Sequence, residues 1–363
     1  MKRMFDIFKG MTVLVTGHTG FKGSWLALWL RELGAEVIGY SLKPPTFPSN
    51  FDLTKLAAKI THIEGDIRDY PNLKKAIDHT QPQVVFHLAA QALVIPSYTH
   101  PRETFDINAS GTVNLLEAAR NCPSIQAMVM VTTDKCYENK EWVWGYRETD
   151  PLGGNDPYSA SKAMAEIAIS TYQKSYFSKE GPIVASARAG NVIGGGDFAD
   201  HRIVPDTMKA LLQGQPVVVR NPQSVRPWMN VLDPLKGYLQ LASCLLEKGR
   251  DYAQAWNFGP VEYKAVDVKT LVDKAIELWG GGQWIQEAGM QPKPEMNTLR
   301  LNWDKAANFL GWHPAYQWDE AIRQTVEWFK AYRSSLQNPG KIDFYQVCAS
   351  HIDDYMNAAR EAI

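Results

Sequence analysis

The stretch MTVLVTGHTGFKGSWLALWLRELGAEVIGYSL, residues 11–42, constrains the fold most. Val13 to Val15 form a short apolar run that reads as a buried strand. Gly17, Gly20 and Gly23 follow at GxxGxxG spacing. Trp25, Leu26, Leu28, Trp29, Leu30 and Leu33 then give a helix with a broad apolar face, and Gly34 stops it. Glu36 to Tyr40 reads as a second strand. Glycines in such a turn let backbone approach a pyrophosphate, and the helix N-terminus behind them favours negative charge.

The alternation continues downstream. THIEGDIRDY carries a short strand, PQVVFHLAAQ a strand running into Ala89 and Ala90, and NASGTVNLLEAAR a helix opened by Asn108 and Ser110. Met128 to Val131 is another buried strand, ending in Thr132-Thr133-Asp134-Lys135. Alternating strands and helices predict an α/β fold, a doubly wound parallel sheet covered on both faces. Ligands of such sheets bind at the strand ends.

Composition excludes several classes. A net charge of -1 gives no general pull toward nucleic acid. Cys122, Cys136, Cys244 and Cys348 include no CxxC pair, so neither a metal site nor a disulfide framework is expected. No window is apolar enough to span a bilayer, and MKRMFDIFKG lacks a signal core, so a cytoplasmic location is expected.

TGHTGFKG, DIRD, HLAAQ, a threonine at a strand end and YSASK (residues 158–162) occur in one order. Together they resemble the extended short-chain dehydrogenase/reductase family through about residue 333. The resemblance implies a Rossmann domain that holds NAD. Gly17, Gly20 and Gly23, with the intervening His18, Phe21 and Lys22, would form the pyrophosphate loop. Asp66 and Ile67 would meet the adenine, Ala89 and Ala90 would line the cofactor groove, and Tyr158 and Lys162 would serve hydride transfer. The segment GYSLKPPTF lacks the acid that usually holds the ribose diol after the second strand. It also lacks an arginine for a 2'-phosphate, although Lys43 is near. NAD is therefore expected rather than NADP, with Ser41 making a weaker ribose contact.

Tyr158 and Lys162 lie four apart on one helix face. A free phenol titrates near 10, too high for a base at neutral pH, and a neighbouring ammonium favours the phenolate. Thr133 can orient the same alcohol oxygen. Such a site oxidises a secondary alcohol. Oxidation acidifies the neighbouring C–H, and an added base and acid then permit loss of water. Nucleotide-sugar 4,6-dehydratases of the family usually carry Thr-Asp-Glu at this strand end, the Asp assisting the leaving hydroxyl and the Glu taking the C5 proton. Here the triplet is Thr133-Asp134-Lys135, with lysine where glutamate is usual. A neutral Lys135 could take the proton, or an ammonium could hold the enolate while another group does so. GHTGFKGSWL, TTDKCYEN and VRPWMNVLDPLKGYL resemble the branch that dehydrates CDP-glucose to the 4-keto-6-deoxy sugar for surface-polysaccharide deoxysugars. Two alternatives are a nucleotide-sugar 4-epimerase, disfavoured by Asp134, and a non-catalytic NAD-binding scaffold, disfavoured by Thr133, Tyr158 and Lys162.

The resemblance also implies interleaved lobes. Residues 1–186 form the NAD-binding domain, with 226–260 and 302–333 returning to it, and 187–225 and 261–301 form a nucleotide-sugar lobe. Asn191, Arg226, Glu295 and Arg300 are the substrate candidates, the arginines because their donors suit a diphosphate. Residues 334–363 form an extension in which Phe344, Val347, Ile352, Tyr355 and Met356 mark an amphipathic helix. It could cap its own subunit or join another. A homodimer through two helices per subunit, one carrying Tyr158, or a dimer of such dimers, is implied by the family.

Overall fold

A computed structural model describes residues 5–260, 266–286 and 299–361. Its core is a seven-stranded sheet of β1 (Thr12–Thr16), β2 (Glu36–Ser41), β3 (Thr61–Glu64), β4 (Val84–His87), β5 (Ala127–Val131), β6 (Ile183–Ala189) and β11 (Ala255–Phe258). The spatial order is β11-β6-β5-β4-β1-β2-β3, and every pair is parallel. Strand order reverses beside β1, which opens a crevice where β1 and β4 end at Thr16 and His87.

Except for the edge strand β3, the strands are largely buried on both faces, and their side chains alternate between two cores. Val13, Val15, Phe86 and Val129 point to one core, Leu14, Val85, Met128 and Met130 to the other. The second core is closed by α2 (Tyr70–Thr80), α3 (Gly111–Arg120) and α4 (Pro157–Ser175) through Leu73, Ile77, Leu115, Leu116 and Ile169. The first is closed by α1 (Phe21–Glu32) and α6 (Leu232–Lys248), whose apolar faces are almost fully buried.

The second half of the chain adds α5 (Ile203–Leu212), α7 (Val268–Trp279) and α8 (Trp318–Gln337), which pack together beside α1 and α6. Three small two-stranded sheets join them. These pair β7 (Val192–Ile193) with β10 (Met229–Asn230), β8 (Val217–Val219) with β13 (Trp284–Gln286), and β9 (Val225–Arg226) with β12 (Val266–Asp267). Phe198 sits edge-on to Trp328, Phe329 and Tyr332, fixing α8 against the loop before α5.

The extension forms α9 (Phe344–Glu361) and docks on its own subunit. Tyr355 meets Trp29 of α1 edge-on and donates to Asp233 Oδ1 at 2.7 Å. Tyr345 donates to Glu32 and receives Arg31, and Cys348 packs between Trp328 and Asn50. The helix is amphipathic, as its sequence pattern required, and its apolar stripe covers the outer face of the glycine-loop helix.

Candidate functional site

The glycine loop joins β1 to α1. Gly17 adopts φ +75°, and a Cβ there would lie 2.6 Å from Ala89 N, so the loop and the end of β4 touch through backbone. A Cβ on Gly23 would lie 2.1 Å from Gly17 O. Helix α1 starts at Gly20 with no side-chain cap, which leaves the amides of Phe21, Lys22 and Gly23 directed out of its N-terminus. The cradle is therefore shaped by missing side chains and lined by donors, as a pyrophosphate requires.

The rest of the groove follows the strand ends. Ser41 closes β2 and hydrogen-bonds Thr19 Oγ1 at 2.8 Å. Thr19 gives its own proton to Leu42 O at 2.9 Å, so the Ser41 hydroxyl must donate to Thr19. Ser41 is left as an acceptor only. His18 turns inward: it lies buried against Phe51 and Gly39, with Nε2 2.7 Å from His62 Nδ1. Burial and then His62 hold it near 3, as a neutral ring. Beyond β3, Asp66 is gripped by Arg68, whose Nη2 lies 2.6 Å from Oδ2, and the buried Ile67 packs under Gly111. That ion pair lowers Asp66 and occupies part of its hydrogen-bonding capacity.

At the end of β5 the chemistry concentrates. Thr133, Asp134, Tyr158 and Lys162 are all buried, and Lys135 is half-buried. Thr133 caps the short turn Asp134–Cys136. Its hydroxyl donates to Asp134 Oδ1 at 2.9 Å and accepts from Lys135 N at 3.3 Å, and it stands beside Tyr158. Tyr158, Thr133 and Asp134 thus stand together, with Thr133 bonded to Asp134. Lys162 Nζ reaches Val131 O at 3.4 Å. Burial raises Asp134 from the ordinary carboxyl value, and the charge of Lys135 and the Thr133 hydrogen bond only partly offset it. Burial also lowers Lys162 to about 8. Tyr158 differs from the sequence expectation. Burial pushes it up to about 12, because the neighbouring Thr133 hydroxyl and the charge of Arg202 oppose desolvation only in part and Asp134 adds to it.

Two cations reach this point without having been assigned to it from sequence. Lys22 points from the first turn of α1 to Tyr238 Oη at 3.1 Å. Burial first, then Arg202, lowers Lys22 to about 7, with Lys162 adding to the effect and Asp134 opposing it. Arg202 immediately precedes α5, pairs with Asp197 at 3.2 Å and lies near both Lys22 and Tyr158. The sequence did mark Lys22 as a loop residue. Arg202 carried only the weak signal of a cation just before a helix start.

Three of the four substrate candidates come from segments that pass near Asp134 or its turn. A Cβ on Gly190 would lie 3.2 Å from Asp134 Oδ2 and 3.9 Å from Pro227, so Asn191 and Arg226 both flank residues beside the carboxyl. Arg226 Nη1 also donates to Val225 O at 2.8 Å. Arg300 joins the same region through backbone: its carbonyl accepts from Tyr146 N at 2.8 Å, and Tyr146 stacks on Tyr137 just beyond the Asp134 turn. Glu295 lies outside the described residues.

Residues 14–325 match the family model described as GDP-mannose 4,6 dehydratase. Over 360 residues the chain is 44% identical to the CDP-glucose 4,6-dehydratase of Salmonella typhimurium, covering 97% of this chain and 98% of that protein. Among solved structures, dTDP-glucose 4,6-dehydratase from Bacillus anthracis in complex with NAD matches with a TM-score of 0.72 and 25% identity, over 90% of this chain and 98% of that one. The UDP-glucose 4-epimerase of Thermus thermophilus in complex with NAD matches with a TM-score of 0.76 and 27% identity, over 88% of this chain and 99% of that one. Dehydratases and epimerases share this fold, so the choice between them rests on side chains.

Proposed function

This chain belongs to the GDP-mannose 4,6-dehydratase family, and from that premise we propose that it is an NAD-dependent CDP-glucose 4,6-dehydratase. The observation that carries the reading is the cluster of Tyr158, Thr133 and Asp134, in which a buried carboxyl, hydrogen-bonded by Thr133, adjoins the oxidation dyad. The reaction converts CDP-D-glucose into CDP-4-keto-6-deoxy-D-glucose and water, as one step of deoxysugar synthesis in the cytoplasm. It is redox-neutral, the hydrogen lost at C4 being regained at C6.

NAD fits the groove: the glycine cradle and the α1 amides for the pyrophosphate, Ser41 for the ribose, Asp66 and Ile67 for the adenine, Ala89 and Ala90 along the wall. When bound it supplies the hydride acceptor and donor. Tyr158 takes the proton of the sugar 4-hydroxyl, helped by Lys162 and by Thr133, which orients that oxygen. Burial keeps Asp134 protonated to higher pH, so it can give its proton to the departing 6-hydroxyl. Lys135 acts at C5, either taking its proton as an amine or holding the enolate as an ammonium. Arg226 and Arg300 bind the diphosphate, and Asn191 contacts the nucleotide sugar. Asn191 and Arg300 belong to the lobe assigned to 187–225 and 261–301, and Arg226 stands at its border.

The subunit pairs through α3 and α4. On these neighbouring helices Val113, Met164 and Ile167 are 37%, 48% and 56% exposed, an apolar face suited to a second copy. Sedimentation of the purified protein tests this.

The deciding experiment incubates the protein with NAD and the CDP, dTDP, UDP and GDP forms of glucose. The expected result is a 4-keto-6-deoxy product, fastest from the CDP sugar. A 4-epimer, or no ketone from any of them, refutes the reading.

A further inference from the structure

Beneath the reacting groups lies a charged network that the chemistry above does not use. Glu166 follows Lys162 by one turn of α4, so both face the end of β5. Its carboxylate is 3% exposed. It accepts from Thr132 Oγ1, from Ser186 Oγ at 2.8 Å and from Arg188 Nη2 at 2.7 Å. Arg188 spends Nη1 on Tyr137 Oη at 2.7 Å and on Glu148 O at 3.3 Å, and its buried Nε has no partner among the described residues. Tyr137 donates to Asn257 Oδ1 at 2.7 Å, and the Asn257 amide donates to the carbonyls of Tyr146 and Asn302.

Four stretches that carry candidate site residues meet this network. Strand β5 leads through Thr132 to Thr133 and Asp134, α4 carries Tyr158 and Lys162, β6 leads through Arg188 to Asn191, and the strip at Asn302 carries Arg300. Stability does not explain it. Replacing a buried ion pair by apolar side chains is often neutral or favourable, so such a pair needs another reason. What apolar packing cannot supply is direction and charge. Thr132 is the neighbour of Thr133, so the bond from Thr132 to Glu166 fixes the strand exit that aims the next two side chains. Lys162 sits in a buried site that disfavours its ammonium, and Glu166 is the foremost group opposing that effect.

We propose that Glu166 is a positioning residue of the reaction: through Thr132 it sets where Thr133 and Asp134 stand, and through its charge it keeps Lys162 an ammonium. This rests on the reading of Tyr158 and Lys162 as the oxidation dyad. The groups that face Lys162 are Glu166 on its own helix, Cys136 after β5, Lys22 from α1 and His87 from β4. His87 is held near 3 by burial and then by Lys162, so it is neutral in the working range. Glu166 is therefore the carboxylate of the set, and Arg188 offsets only part of its charge.

The sign follows. Lys162 lies below its ordinary value because of burial, and Glu166 pulls it back up. Removing that carboxylate lowers Lys162 further, so its ammonium is lost at lower pH. Tyr158 then loses the cation that favours its phenolate, and the alkaline limb of the first chemical step moves down. The stranded Arg188 charge acts in the same direction.

The test uses full-length protein with NAD and CDP-glucose, following NADH absorbance in single turnovers from acidic to alkaline pH. Glu166→Gln is expected to leave the circular dichroism and the KM for CDP-glucose near wild type. It should lower the rate roughly ten- to a hundredfold, a part of what positioned proton transfer contributes. Its alkaline limb should fall by about one unit, the scale of a neighbouring charge. Glu166→Asp should return the limb toward wild type. Thr132→Val removes only the tether, so it should slow the step without moving the limb, and it keeps the test open if Glu166→Gln fails to fold. A wild-type limb in folded Glu166→Gln overturns the charge half of the proposal. A wild-type rate in Thr132→Val overturns the positional half. Wild-type protein inactive on every nucleotide glucose defeats the reading of the site instead.

Discussion

Asp134→Asn separates oxidation from elimination, because the structure gives the amide almost everything but the proton. Thr133 donates to Asp134 Oδ1, and an asparagine Oδ1 can accept the same bond. Shape and the bond from Thr133 are thus retained. The fold is not weakened either. Burial raises Asp134 in the folded state, so its favourable contribution is present below the unfolded pKa and is lost as pH rises through the folded one. An amide does not titrate, so at neutral and alkaline pH the variant should melt no lower than wild type. The loss is chemical. General acid catalysis contributes about 10²–10⁴-fold, or about 2.7–5.4 kcal/mol of barrier. In the proposed mechanism the step that forms the 4-ketone uses Tyr158 and Thr133, and both are intact.

Stopped-flow absorbance with CDP-glucose should therefore show NADH forming at close to the wild-type rate and then persisting, because the variant cannot complete the elimination that consumes it. Steady-state product should fall by the factor above. The wild-type elimination rate should decline as pH rises through the folded value of Asp134, and the variant should lack that limb. If Asp134→Asn dehydrates at the wild-type rate, Asp134 is not the acid. If it forms no NADH at all, the carboxyl serves oxidation, and the division of labour is wrong.

Three further outcomes follow. Lys135→Met should abolish solvent-deuterium incorporation at C5 while still permitting NADH formation; exchange at the wild-type rate would reduce Lys135 to an electrostatic role. Because Ser41 can only accept a hydrogen bond and no acid follows β2, NAD should be lost on extensive dialysis and activity should return on adding it, whereas full occupancy after dialysis would contradict this. Burial holds Asp233 near 6 against an ordinary carboxyl near 3.8, a difference worth about 3 kcal/mol at 1.36 per unit. That stability is full below the unfolded value and gone above the folded one, so melting curves should show Asp233→Asn gaining on wild type between acidic and neutral pH; a constant offset would mean Asp233 is ionised throughout.

How much of this was legible depended on distance along the chain. The glycine loop and the YSASK helix announce themselves through spacings within one turn or one βα unit, and they stand in the crevice that their order implied. Arg202, Tyr238 and Glu166 carry no such spacing signal. Arg202 reaches Tyr158 only because α5 begins where it does, and Tyr238 meets Lys22 across 216 positions of sequence. Glu166 could have been found as the residue one turn past Lys162, but its three donors come from two strands that the helix merely crosses. Tyr158 marks another limit. Reading its charge from a neighbouring lysine omitted burial, which is the larger effect in the folded chain. The amphipathic stripe of α9 was visible in its period, but its partner was not, since period shows that a face is covered and not by what.

The lysine at position 135 gains meaning from the charges now placed around Asp134. A glutamate there would set two carboxyls side by side in a buried site, and one of them would hold its proton largely because the other could not. With lysine at 135, Asp134 has no carboxyl neighbour in the triplet, and burial alone must raise it against the pull of Lys135 and Lys22. The acid is then tuned by depth rather than by a paired acid. The partner at C5 changes too. A glutamate that takes a proton becomes neutral beside the enolate it has made. An amine that does so becomes a cation beside it, and attraction holds the intermediate while Asp134 releases the 6-hydroxyl as water. An ammonium that only neighbours the enolate gives the same attraction without taking the proton. Either way the substitution moves positive charge toward the carbon where negative charge develops, which is why deuterium exchange at C5, rather than overall rate, is the measurement that tells the two roles apart.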